Sequence, residues 1–274
     1  MMASNRHSKS LGPKVAQAVR QAGEWLRAVW EEAEAKPAAS PEVDWKGPSD
    51  PVTSWDRTVE TMLLSALGRL TPDIPVWSEE GRPVPPNSLG QRWLLDPLDG
   101  TLNATHRYPH VAIALALEDA EGIAEAFVYD VHRSHLYWAA RGQGAWRDGL
   151  ALHVGTNPAL SQALLAVGAT WKDEEAIWQV LARHGQDLRR GGSAALDLAW
   201  VASGILDGFV ERRLWPWDVA AGSLLVAEAG GLATDLRGSP LRWNGPLAVV
   251  AANPSLHRAL VEALKDLKTS DSSP

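Results

Sequence analysis

The sequence predicts a mixed α/β fold, with helices layered on β-sheet, and three observations carry this. Residues 76–155 hold a succession of short apolar runs separated by polar turns, the pattern of a mostly antiparallel sheet. From Leu164 onward, strand-like and helix-like runs alternate, which argues α/β. Ahead of both lie two stretches with apolar residues at helical spacing. The chain therefore divides into an N-terminal α+β part, 11–155, and a C-terminal α/β part, 156–268, with a site expected between them. Its 274 residues suffice for one large domain or two modest ones.

Residues 1–10 are polar and are expected to be disordered. Val15, Val19, Ala22, Leu26 and Val29 predict an amphipathic helix over 13–35. Residues 36–50 read as a loop or loose hairpin, with Lys46 as its notable charge and a solvated surface lysine as the bland account. A second helix is expected from Pro51, with Val59, Met62, Leu63, Ala66 and Leu70 as its apolar stripe and Pro72 after its end. Asp56 sits in its first turn, where a partner of the helix dipole is the simple account. Val76–Ser78 reads as a strand running into Glu79 and Glu80, and the proline-rich 82–90 as a surface loop.

The most informative stretch is Trp93-Leu94-Leu95-Asp96-Pro97-Leu98-Asp99-Gly100-Thr101-Leu102-Asn103. A buried strand ends in two carboxylates, Pro97 forces a turn at Asp96, and Gly100 lets the backbone pass close to something. Thr101 is suited to cap a following helix. Acids gather hard cations and free N–H groups at a helix start gather phosphate, so metal-assisted phosphate chemistry is suggested.

Strands follow at 111–117, 123–131 and 136–140, with a further run at 145–147 between turns. His132 and His135 near one turn read as surface histidines. The second half gives a strand at 164–169, a helix at 174–184, a helix leading from Gly192 to about 203, and a short strand at 208–210. A helix over 219–229 starts just after Trp217-Asp218, strands follow at 232–234 and 247–252, and a last helix spans 254 to about 268, before a polar tail.

Lys plus Arg number 26 and Asp plus Glu 33, a net charge of −7, which argues against nucleic acid or an anionic membrane as main partner. No cysteine is present, so no disulfide, thiolate metal site or cysteine nucleophile is available. There is no apolar signal-peptide core in the first ten residues, and no apolar run approaches membrane-spanning length. A soluble cytoplasmic protein is expected. Fourteen tryptophans point to core or interface packing.

Five acids stand at ends of elements: Asp56, Glu79, Asp96, Asp99 and Asp218. Converging on one pocket, they would repel unless cations sat among them. Mg²⁺ favours oxygen ligands, and two such ions clamp both the attacking and leaving oxygens of a phosphoryl transfer. Asp96 is placed to bridge, with Glu79 on one side and Asp99 and Asp218 on the other. Spacing alone leaves open whether the five meet.

Asp96-Pro97-Leu98-Asp99-Gly100-Thr101 resembles the metal-binding signature of the inositol monophosphatase family. So does Trp217-Asp218-Val219-Ala220-Ala221-Gly222 with Glu228-Ala229-Gly230-Gly231. The segments at 51–56, 78–80 and 192–196 match in the family's order. The resemblance spans roughly 46–253 and implies a layered α-β-α-β-α sandwich. It implies Mg²⁺, two or three ions, held by Glu79, Asp96, the carbonyl of Leu98, Asp99 and Asp218. Asp56 and Thr101 would orient the attacking water, with Glu79 counted beside them as catalytic. Gly100 and Thr101 would bind phosphate through N–H groups, and Gly192, Ser193, Ala194 and Glu211 would face the alcohol. For Glu211 a surface ion pair with Arg212 and Arg213 is the competing account. Lys46 lies near a basic residue that the family places by the site.

The implied activity is hydrolysis of a small polyol phosphate, myo-inositol 1-phosphate first. Histidinol phosphate, fructose 1,6-bisphosphate and 3′-phosphoadenosine 5′-phosphate are alternative substrates, and a non-catalytic metal-binding scaffold is an alternative of another class. A homodimer is implied as well. Ala104 stands where the family usually has an aromatic and Trp55 where a small residue is common; both bear on pocket shape.

Overall fold

The computed structural model describes residues 8–47, 50–81, 90–157, 159–168, 174–184 and 187–267. Helix α1 (Ser8–Ala35) starts a turn and a half before Pro13, so disorder is not found at 8–10. Pro13 gives up one N–H bond, and Leu11, upstream of it, packs on the core. The expected hairpin forms as β1 (Val43–Gly47) and β2 (Asp50–Thr53). Because 51–53 are taken into β2, helix α2 (Ser54–Leu70) starts later than expected. Thr53 caps it, accepting from the Trp55 and Asp56 N–H groups.

Strands β3 (Val76–Ser78), β4 (Arg92–Asp99), β5 (Ala112–Asp119), β6 (Gly122–Asp130), β7 (His135–Ala140), β8 (Gly144–Arg147) and β9 (Leu150–Ala151) form one sheet in chain order. Only β3 and β4 run parallel; the rest is the expected antiparallel meander. The short helix α3 (Thr101–Thr105) leaves β4.

The second sheet has the order β11-β10-β12-β14-β13. It comprises β10 (Leu164–Val167), β11 (Asp187–Arg189), β12 (Gly208–Leu214), β13 (Leu232–Thr234) and β14 (Leu247–Ala252). Helices α4 (Glu174–Arg183), α5 (Ala194–Ala202), α6 (Pro216–Glu228) and α7 (Pro254–Leu264) accompany it. Strand β11 was not expected, and β12 runs four residues beyond the expected 208–210. Helix α6 starts at Pro216, not after Asp218, since proline is well suited to the first helical position. The expectations for 1–7, 82–89 and the tail from 269 lie outside the described residues.

Alternation of side chains across the strands builds the layers. Trp93, Leu95, Ile113, Leu115, Phe127 and Tyr129 face α1 and α2. Leu94, Ala112, Ala114, Ala116 and Val128 face α5 and α6, which also pack on Phe209, Val249 and Ala251 of the second sheet. The other side of that sheet, through Leu165, Val167, Val210 and Val250, meets α4 and α7. The result is α-β-α-β-α. A small residue draws the two central helices close: a Cβ on Gly222 of α6 would lie 2.4 Å from the Leu198 Cβ of α5.

Five of the fourteen tryptophans, Trp30, Trp55, Trp77, Trp93 and Trp217, are buried in this interior, while Trp45 and Trp215 are exposed. His132 is not a surface residue; it is half-buried, edge-on to Trp30 at 4.4 Å between ring centroids. His135 is partly exposed and pairs with Asp148 at 2.8 Å. No helix among the described residues is long and apolar enough to cross a membrane.

Candidate active site

The site grows from an irregularity in β4. The β4–β5 register passes from Asp96↔Ala114 to Asp99↔Ala112, so β4 carries one extra residue there. Pro97, with no N–H to give the ladder, is accommodated by this bulge. The chain therefore does not turn away at Asp96 as expected; the strand continues to Asp99. Asp96 is buried and accepts the Leu98 N–H at 2.9 Å.

Gly100 follows with φ +96°, and a Cβ there would lie 2.9 Å from the His110 carbonyl oxygen. It is Gly100, not Thr101, that occupies the cap position of α3, with no side-chain cap bond. The Thr101 hydroxyl instead reaches Asp56 Oδ1 at 2.8 Å and the Leu98 carbonyl at 2.9 Å. Asp56 is fully buried in the first turn of α2, where its Oδ2 accepts the Thr53 N–H at 2.9 Å. One carboxylate thus closes the helix start and turns its other oxygen to Thr101. Burial, outweighing the bonds from Thr53 and Thr101, raises its pKa.

Glu79 leaves β3 with its N–H on the Leu95 carbonyl at 3.1 Å. Lys46, delivered by the β1–β2 hairpin, puts its Nζ 2.8 Å from Glu79 Oε1 and 2.8 Å from Glu80 Oε1. Lys46 is exposed, but its ammonium is paired with two carboxylates rather than simply solvated. Burial opposes its charge, but Glu79 and Glu80 prevail and hold its pKa above the usual lysine range. Glu79 itself is raised to about 7, by burial first, against the pull of Lys46.

Asp99 accepts two bonds on Oδ2, from Ser193 Oγ at 2.7 Å and from the Ala195 N–H at 2.7 Å. Burial still lifts its pKa to about 6. Asp218 is the third residue of α6 and accepts the Trp215 N–H at 2.7 Å. Asp96 and Asp218 titrate well above the ordinary carboxylate range, through burial and then the repulsion of neighbouring carboxylates.

Glu79, Asp96, Leu98, Asp99, Gly100, Thr101, Gly192, Ala194, Glu211 and Asp218 line one cleft of about 730 Å³. The structure thus brings the sequence-predicted residues together, with Ser193 behind Asp99 and Asp56 behind Thr101. Among the described residues no three acids or histidines are already gathered as a single-ion site. The acids ring the cleft, held from behind, and their raised pKa values mark carboxylates short of positive charge. An all-oxygen donor set of this kind fits a hard divalent cation.

Glu211 is not at the surface. It is buried in the middle of β12, and a Cβ on Gly168 would lie 2.1 Å from its Cγ.

Sequence reasoning missed the supports. Asn103 Nδ2 donates to the His110 carbonyl at 2.7 Å and the Gly191 carbonyl at 2.9 Å, tying α3 to the loop before α5. His110 Nε2 lies 2.8 Å from Asp197 Oδ1, both buried. Nothing local in the sequence marks a pair 87 residues apart. Arg190 and Arg213 on the cleft wall were missed as well.

The inositol monophosphatase family model matches residues 12–269, almost the whole length. The chain belongs to the inositol monophosphatase family. It is 39% identical over 232 residues to an inositol-1-monophosphatase of Rhizobium meliloti, covering 82% of this chain and 86% of that protein. It is 36% identical to the Nus factor SuhB of Escherichia coli, covering 91% and 93%. Among solved structures it is similar to the extragenic suppressor protein SuhB of Bartonella henselae, with TM-score 0.84, 32% identity and coverage of 93% and 98%. An inositol monophosphatase of Thermotoga maritima gives TM-score 0.81 at 27% identity, covering 92% and 95%. Membership makes the chain a phosphoric monoester hydrolase of a metal-dependent family.

Proposed function

We propose that the protein is a Mg²⁺-dependent phosphomonoesterase of a small polyol phosphate, myo-inositol 1-phosphate first among them. The observation that carries this is the convergence of Glu79, Asp96, Asp99 and Asp218 with the Asp56–Thr101 pair on one cleft. A similar solved structure with inositol monophosphate bound, at TM-score 0.78 and 27% identity, supports the substrate class. Glu79, Asp96, the Leu98 carbonyl, Asp99 and Asp218 would hold two or three Mg²⁺ ions, drawn from both 11–155 and 156–268. When bound, the ions supply charge neutralisation on the phosphoryl oxygens and a more acidic water.

The chain's own groups do the rest. Asp56 Oδ1 accepts the Thr101 proton, which leaves a Thr101 Oγ1 lone pair to accept a hydrogen from the attacking water. The water oxygen is then presented to phosphorus, its bond to phosphorus forms as the bond to the polyol oxygen breaks, and of the two water protons one stays on the phosphate while the other passes to the leaving alkoxide, which departs as the alcohol. The Gly100 and Thr101 N–H groups face the phosphoryl oxygens. Gly192, Ala194 and Glu211 hold the alcohol, and Ser193, expected beside them, acts through its bond to Asp99. A homodimer in the cytoplasm completes the reading, with sedimentation at micromolar concentration as the check on assembly.

Phosphate release measured over myo-inositol 1-phosphate, histidinol phosphate, fructose 1,6-bisphosphate and 3′-phosphoadenosine 5′-phosphate tests the substrate class. The highest kcat/KM should fall on a polyol phosphate. A clear preference for the nucleotide would contradict it.

A further inference from the structure

We propose that Arg213 is a specificity-determining residue that extends the site to substrates whose leaving alcohol carries a second anionic group. This rests on the phosphatase reading above. The β12–β14 register passes from Glu211↔Val249 to Leu214↔Leu247, three steps on one strand against two on the other. One extra residue therefore bulges from β12 within 212–213. Arg213 takes the left-handed conformation there, with φ +57°. Glycine is the residue that enters this conformation without cost, so a residue with a Cβ held there carries backbone strain.

The bulge has a consequence for the cleft. Strict alternation would turn Leu214 away from the face that carries Glu211 and Arg213. Instead Glu211, Arg213 and Leu214 all line the cleft, and Arg213 is exposed while Arg212 and Leu214 stay buried. Arg190 lines the same cleft from the segment between β11 and α5. The cleft that holds the acids thus also carries two arginines, Arg190 and Arg213, the latter two residues from Glu211. Both arginines interact within the chain, and a guanidinium, with five N–H donors, is able to engage more than one partner. Hydroxyl groups of an uncharged polyol call for an acceptor such as Glu211. Two guanidiniums call for an oxyanion, which they grip through paired N–H bonds.

The test compares kcat/KM for myo-inositol 1-phosphate and myo-inositol 1,4-bisphosphate in the wild type, Arg213→Gly and Arg213→Gln. In both variants the bisphosphate-to-monophosphate ratio should fall about tenfold, the scale of one charge-assisted hydrogen bond, with the loss in KM. Arg213→Gly should melt no lower than the wild type, because glycine relieves the backbone, whereas Arg213→Gln keeps the strained position. An equal ratio loss in the two variants assigns the effect to charge. An unchanged ratio in both variants overturns the proposal, as does a wild type that cleaves the monophosphate and not the bisphosphate. A wild type that cleaves neither would instead remove the phosphatase reading on which the proposal stands.

Discussion

Asp218 shows how one carboxylate serves both fold and chemistry. It accepts the Trp215 N–H in the first turn of α6 and lines the cleft among other acids. Asp218→Asn keeps an oxygen for that N–H, and asparagine caps about as well as aspartate. The variant should keep its melting temperature within a few degrees and lose about 100-fold or more in kcat, the scale of one lost electrostatic contact to a transition state. Near-normal kcat with bound Mg²⁺ would remove Asp218 from the ligand set. Glu211→Gln tests the side that faces the alcohol. It should lower kcat/KM for a polyol phosphate while sparing p-nitrophenyl phosphate, because a site built for hydroxyls discriminates only when hydroxyls are present. An equal loss on both substrates would make Glu211 structural. At this scale the acids were legible, since each stands in a short motif with a turn or cap signal of its own. Arg213 was not, because a bulge depends on the partner strand's register, and β14 lies more than thirty residues further along.

The elements were legible wherever periodicity governed them. The two amphipathic helices and the antiparallel meander follow from spacing alone. Three misplaced element bounds fall at prolines: Pro13 sits inside α1, Pro97 inside β4 at its bulge, and Pro216 at the head of α6. At Pro97 and Pro216 the missing N–H falls where the ladder or helix can spare it, whereas at Pro13 one intrahelical bond is given up. Gly23 in α1 bears on packing instead. A Cβ there would lie 2.1 Å from Tyr129 Cδ1 on a buried ring. Glycine to alanine inside a helix gains about 1 kcal/mol from propensity, whereas overpacking a close contact costs about 1–3 kcal/mol. Overpacking against a buried aromatic ring should win, so Gly23→Ala is expected to unfold at lower denaturant concentration. A raised midpoint would show that α1 yields easily.

For the whole molecule, the interior holds an acid that the reaction does not use. Glu125 of β6 is buried, its Oε2 has no hydrogen-bond partner among the described residues, and burial alone raises its pKa to about 7. An unfolded glutamate titrates near 4.5. Above pH 7 the fold therefore carries an ionised buried group. Between pH 7 and 4.5 the native state holds a proton that the unfolded chain has released, so this group's contribution becomes more favourable as pH falls. The wild-type melting temperature should rise from pH 8.5 to pH 6 relative to Glu125→Gln, and parallel profiles would show that Glu125 does not titrate in this range.

The central claim is that the ring of buried carboxylates exists to hold Mg²⁺ for hydrolysis. Phosphate release from myo-inositol 1-phosphate, followed in Mg²⁺, after EDTA, and after Mg²⁺ is restored, tests it most directly. Activity should vanish with EDTA and return with the metal; full turnover in metal-free buffer would contradict the account.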